Sequence, residues 1–468
     1  MIRLFLTFLL LVSIAFGGEC RISDVVWNGD HEMADEADAA NLVGMPCEGL
    51  NGPVWKNTSR KIQERYENGG FLAASLVGEL LENPADSSEA TNTAVLLLGL
   101  NRGSAWVWGP AENMDSTGTK PEVFRKLTGL EVGSYVSPRD LERANYKLAR
   151  VGYFEEVGKP RMYRDAYRNR IIPVFNMRAA AMSEAEALLT YSSENDLWEG
   201  NVNVSLYNIL GTARDLQLEG YTAADSRRLD GSYKEPWIFG SAWNVIARGY
   251  FDEDSSTREA YGEVGISRDI GFDFTIGVFV GIGDNEKTSS LELTYTSLDR
   301  FALPRSGTKF YGLASWNFSR PDSLDHYLKV RGSLVRYVPV YANWITRFSG
   351  AAGGIFAPDA DLDRQDLFAL GGMNDFRGMD YRFLRSRAYG YTEFALLWQD
   401  GYDLSIEGFY MPGLYRAPRP DHGWKREQEY GLAFTQYRKN WSVNFYYALR
   451  NGESYLDGIV GVGVKTLF

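Results

Sequence analysis

From Ser183 to Phe468 the chain keeps one rhythm, apolar and polar positions alternating at period two. Trp441, Val443, Phe445, Tyr447 and Leu449 share one face of an extended segment, while Asn440, Ser442, Asn444 and Tyr446 take the other. Trp243, Val245 and Ala247 alternate with Asn244 and Arg248, and Phe310, Gly312, Ala314, Trp316 and Phe318 alternate with Ser315 and Asn317. This periodicity predicts β-strands with one apolar face. About sixteen such segments fit into the span, at roughly 18 residues per strand and turn, as tilted membrane strands of about ten residues require. In a soluble sandwich the apolar faces would meet across a core. Here the opposite faces carry charge, and turns such as Arg416 to Gln428 read as long and charged. The expected fold is therefore a transmembrane antiparallel β-barrel over 181–468, apolar outside and polar within. Its last strand should turn Val460, Val462, Val464, Thr466 and Phe468 to lipid, and Gly461, Gly463 and Lys465 to the lumen.

Before residue 181 helical and strand patterns mix, and a weak repeat emerges: Leu42 to Phe71 and Leu127 to Phe154 each read as a strand-like segment, a glycine turn and a helix. In the second copy Ser137 should cap a helix with Pro138 at its first position, and Leu141, Ala144, Leu148 and Val151 fall on one face. Gly70 and Gly152 mark the helix ends, and Thr93 to Leu98 and Ile171 to Phe175 read as following strands. This β-α-α-β-β order with its Gly-Tyr-Phe turn resembles the POTRA domain, one copy over 18–105 and a second over 106–180.

Arg3, the apolar run Leu4 to Phe16 and the small residues Ala15 and Gly17 read as a secretory signal peptide over 1–17. Glu19 before Cys20 spoils a lipidation box. A mean hydropathy of −0.29 would suit a soluble protein, but aromatic residues reach 14% and there are 48 glycines, as aromatic girdles and many strand turns require. The net charge of −12 opposes nucleic-acid binding, which needs a basic footprint. The two cysteines, Cys20 and Cys47, are candidates to pair in an oxidising compartment, a link worth about 3 kcal/mol; two unpaired thiols are the alternative. Three histidines, His31, His326 and His422, offer no metal-ligand spacing. No catalytic set and no cofactor motif is evident, so the expectation is a protein that is not an enzyme and carries no cofactor.

Three strings narrow the family. Tyr207 to Leu216 (YNILGTARDL) falls at the turn between the second and third strands, Tyr233 to Ser241 (YKEPWIFGS) follows, and Gly371 to Tyr381 (GGMNDFRGMDY) sits in the longest loop-like stretch, Ala351 to Leu384. Residue by residue these could be a hairpin glycine, a strand-ending proline and interfacial aromatics. In this order they resemble the BamA/TamA family of outer-membrane barrels. The resemblance implies that Phe376, Arg377 and Gly378 form the tip of a loop folded into the lumen, although Met379 departs from the usual aromatic. It also implies acidic anchors on the next two strands. Glu393 aligns with the first. Met411 stands where the second should be, leaving Glu407 or Asp403 to serve.

The resemblance further implies a lateral seam between the first strand, about Glu184 to Tyr191 with Leu189, and the last, with Gly458, Gly461, Gly463 and the terminal Phe468. Glycines without packing side chains would weaken that edge. The implied partners are unfolded outer-membrane or secreted clients, outer-membrane lipid, and periplasmic or lipoprotein accessory subunits. Rival readings are a two-partner secretion transporter and a passive porin or receptor.

Overall fold

The computed structural model describes residues 20–82, 93–180, 183–192, 197–223, 226–254, 258–284, 286–299, 303–319, 326–357, 362, 366–372, 375–380, 382–400, 403–416, 423–438 and 441–467. The expected signal peptide at 1–17 and the terminal Phe468 lie outside them. The chain divides into two compact units, one of Met1–Ala111, Leu130–Glu142 and Pro160–Val174, the other of Glu112–Gly129, Arg143–Lys159 and Phe175–Phe468.

In the first unit, strands Arg21–Asn28, Thr93–Asn101 and Ser75–Glu82 form a sheet in that order, the first pair parallel and the second antiparallel. Thr93–Asn101 alternates half-buried with buried residues, and its inward Ala94, Leu96 and Leu98 are fully covered. Helices Met33–Ala39 and Pro53–Asn68 close over that face, packing Ile62 and Tyr66 against Ile22, Leu42, Leu96 and Leu98. Helix Pro53–Asn68 starts on its proline and runs out at Gly69, after which Gly70 takes a left-handed φ of 95°, a conformation glycine adopts without steric cost. One expectation needs correcting. The stretch Leu42 to Leu50 is not strand-like but carries 3₁₀ turns at Ala40–Leu42 and Cys47–Asn51, because Gly44, Pro46 and Gly49 interrupt any ladder. The strand of this copy lies upstream at Arg21–Asn28. The matching stretch of the second copy begins as the end of helix Pro121–Thr128, which Gly129 stops at φ 73°.

The two helices of the first unit are tied by charge. Arg65 donates to both Asp35 and Asp38, Tyr66 donates to Asp35, and Lys61 lies 2.5 Å from Asp38. The Lys61 ammonium holds the Asp38 carboxyl below the usual aspartate range, aided by Arg65. Burial pushes the Tyr66 phenol up to about 12, so it stays a donor. A depressed carboxyl stabilises the fold above its unfolded pKa and loses that contribution as pH falls through its folded one. Hydrogen-exchange protection of these two helices is therefore expected to hold at neutral pH and to fall once pH drops below about 4, whereas an Asp38→Asn variant should be less protected at neutral pH and show a smaller fall.

The second unit is dominated by a closed barrel of sixteen antiparallel strands, from Ser183–Ser192 to Ile459–Leu467. Outward positions are apolar and exposed, among them Leu229, Val264, Val278, Leu291, Leu432 and Val462, while Asn244, Ser315, Asn317 and Ser442 are buried inside. Among the described residues no helix is long and apolar enough to cross a membrane. Within this unit Phe124, Phe154 and Phe175 stack edge to face at 5.5 and 5.9 Å. Tyr153 donates to both oxygens of Asp215 at the start of the third barrel strand, and Arg150 pairs with Asp273 at 2.9 Å.

Two strand ends differ from expectation. Ala351 to Phe356 is not loop but the end of strand Trp344–Phe356. Its small residues are there for packing: a Cβ at Gly353 would lie 2.6 Å from the Tyr389 ring and 2.8 Å from that of Phe368. Likewise Trp424 to Gln428 belongs to strand Trp424–Arg438 rather than to a turn, its charges carried on a ladder with Pro412 to Arg416.

Candidate functional site

Between the eleventh barrel strand, Trp344–Phe356, and the twelfth, Ala388–Gln399, the chain makes a long excursion. Its two legs pair as Phe368–Leu370 against Leu384–Ser386, and the tip between them is fastened by side chains. Phe376 is fully buried with Leu370, Met379, Tyr389 and Met411 in one apolar cluster, its ring 5.3 Å from that of Tyr391. Room for it comes from Gly413, where a Cβ would sit 2.6 Å from the phenyl.

Arg377 follows, with Nη1 2.9 Å from Glu407 Oε1 and Nη2 3.4 Å from Glu393 Oε2. Its guanidinium also lies 4.7 Å from the centre of the Phe409 ring. A second arginine, Arg347 on the eleventh strand, reaches the same two carboxylates, 2.6 Å to Glu393 and 2.5 Å to Glu407. Ser349 adds a hydrogen bond of 3.0 Å to Glu393. The result is a square of two guanidiniums and two carboxylates, all largely covered. Planar guanidinium groups suit this because each can serve two carboxylates at once. Gly378 completes the tip. Its amide donates to Glu429 Oε2 at 3.0 Å, and a Cβ there would stand 2.9 Å from Arg450 and 3.2 Å from the Glu429 carboxyl carbon.

Of the two residues left open as second anchor, Glu407 holds Arg377, while Asp403 pairs with Arg438 at 3.0 Å. Met411 joins the apolar cluster with Phe376 and Met379. Arg347 had no motif to reveal it; its lumen position follows only from the register that sets Ser349 opposite Glu393. Tyr153 and Asp215 were also missed, since 62 positions separate them.

At the seam, Ser192 to Glu184 pair with Ile459 to Leu467 in nine consecutive register steps. Leu189 faces outward, 57% exposed, opposite Val462. Gly458 is a correction: it lies just before the last strand, not in it. The idea that the seam glycines leave the edge without packing also needs revision. A Cβ at Gly461 would fall 2.0 Å from the Tyr446 ring and one at Gly458 2.5 Å from that of Tyr447, whereas Gly463 is roomier, 3.3 Å from Leu188. Tyrosines of the fifteenth strand, Trp441–Arg450, thus cover two of these glycines, as aromatic rings do over bare strand positions. Gly461→Ala is expected to lower barrel stability by about 1–3 kcal/mol through overpacking, read as a lower unfolding temperature on heated gels; unchanged stability would show that the ring moves aside freely. Cys20 and Cys47 are joined by a disulfide, their Cα atoms 5.4 Å apart.

Residues 281–404, from the seventh strand through the loop to the thirteenth, match the Omp85 superfamily domain. This span is an Omp85 domain. It contains Arg347, the loop tip and Glu393, while Glu407 and Glu429 stand beyond its end. Among solved structures, CdiB from Escherichia coli is similar over 96% of this chain and 91% of its own, at 14% identity and a TM-score of 0.61. CdiB from Acinetobacter baumannii covers 96% and 90%, at 12% identity and 0.53. BamA from Haemophilus ducreyi lacking POTRA domains 1-3 aligns over 96% and 100%, at 14% identity and 0.47. At this level of identity the likeness to the CdiB structures is one of fold. No curated protein matches the chain by sequence. A barrel with this domain is an outer-membrane barrel.

Proposed function

We propose that this protein helps other proteins enter or cross the bacterial outer membrane, through client capture by its N-terminal domains and a barrel seam that opens sideways. The observation that carries the reading is the Arg377 loop, fastened inside an Omp85-domain barrel to Glu393 and Glu407. Other outer-membrane barrels also hold loops in their lumen; what favours this reading is that the tethered loop lies within the span matching the Omp85 domain. A fixed loop keeps one wall of the barrel rigid while strands at the seam part.

In this reading the N-terminal domains face the periplasm. The first sheet has two edge strands: the outer edge of Arg21–Asn28 is taken at Ile22 by Gly44 and Met45, so Ser75–Glu82 is the edge that an extended client would join by strand addition. An opened seam would present an edge of the same kind on Ser183–Ser192. The client's own folding supplies the driving force, so no chemical step and no cofactor is invoked.

Depletion of the protein followed by proteomics of outer-membrane and exported proteins tests the reading. Loss of a set of barrel proteins is the expected result. Loss of one exported protein alone would point to a dedicated two-partner transporter, and no loss of any protein would overturn the proposal.

A further inference from the structure

The lumen face of the seam carries a charge pattern that the loop clamp does not use. Glu184 and Glu186 on the first barrel strand both turn inward, lining a cavity of about 1100 Å³ with Glu199 and Glu219 from the next two strands. On the last strand Lys465 stands in register with Glu186 and places its ammonium 2.5 Å from Glu184 Oε2. Across the last strand and the first three, Lys465 is the one lysine or arginine. The neighbouring inward position on the last strand is Gly463, where a Cβ would lie 3.7 Å from Glu186 Oε1, so nothing else on that strand answers the two carboxylates.

When the last strand leaves the first, Glu184 and Glu186 lose their cation while still facing a confined lumen. A neutral or acidic replacement leaves them uncompensated, and like charges facing each other across a strand pair repel. A replacement that brings its own cation restores the balance. We propose that Glu184 and Glu186 select the incoming strand by charge, favouring clients whose pairing strand carries Lys or Arg at the lumen-facing position aligned with Glu186 and apolar residues on its outward face. The chain's own last strand is the template for such a partner. This inference rests on the seam reading above and adds the chemistry of the client to it.

The test uses the full-length protein in lipid nanodiscs and two labelled synthetic peptides. One has the sequence from Gly458 to Phe468, and the other carries Glu in place of the lysine. Binding is measured by fluorescence anisotropy against the wild type and against Glu184→Lys/Glu186→Lys. The lysine peptide is expected to bind the wild type about tenfold more tightly, and the double variant to reverse the order. Glu186→Gln, a milder change, should shrink the preference to about threefold. Equal binding of both peptides to the wild type would overturn the charge selection while leaving the seam reading in place. So would a preference unmoved by either variant, which would place the attraction elsewhere in the acidic lumen. Binding of neither peptide would overturn this inference together with the seam reading.

Discussion

Arg377→Ala is expected to give a protein that still inserts as a closed barrel yet no longer supports its clients. Removing the guanidinium leaves Glu393 and Glu407 to share Arg347 alone. Breaking a buried ion pair costs roughly 3–5 kcal/mol. In a wet lumen, where solvent screens part of the charge, about 1–3 kcal/mol is the more realistic range. That is enough to shift a loop from fixed to mostly loose, although Phe376 keeps its place in the apolar cluster. Two measurements check it: protease nicking of 357–387 in the purified protein, and client levels in a strain carrying only the variant. Nicking should rise about tenfold and client levels fall, with barrel closure on unheated gels unchanged. Arg377→Lys should recover little, since one ammonium cannot serve two carboxylates in a plane. Normal client levels in the alanine variant would separate the loop from function.

The barrel was legible in the sequence because a bilayer leaves the chain little choice. Every second residue of a spanning strand must be apolar, so Trp441, Val443 and Phe445 alternate with Ser442 and Asn444 whatever the neighbouring strands do. What one strand cannot reveal is its register. Arg347 joins the clamp because its strand sets Ser349 opposite Glu393, and no local pattern carries that information. The choice between Glu407 and Asp403 was undecidable for the same reason: both lie near the thirteenth strand, but Glu407 is inside it and Asp403 precedes it. The glycines misled in a related way. Gly353 and Gly461 read as loop or weakness, yet each is the floor under a ring from another segment. The 3₁₀ turns between Ala40 and Asn51 were missed because short apolar runs broken by glycine look alike in strands and turns.

A disulfide across the seam is expected to have the second large effect. Ala187 and Val464 are register partners on the first and last barrel strands, both on the outward face. Directly opposed antiparallel residues hold their Cα atoms about 4.5–5.5 Å apart, within the span a disulfide bridges. In Ala187→Cys/Val464→Cys the bond should form on oxidation without distorting the barrel, and the loop clamp, held on the eleventh to fourteenth strands, should be untouched. The decisive measurement is client assembly by this variant, oxidised and then reduced, in the same preparation. Near-complete loss when oxidised, with recovery on reduction, is the result the account predicts. Undiminished assembly by fully cross-linked protein would contradict it, since a barrel that never parts there cannot admit a client strand.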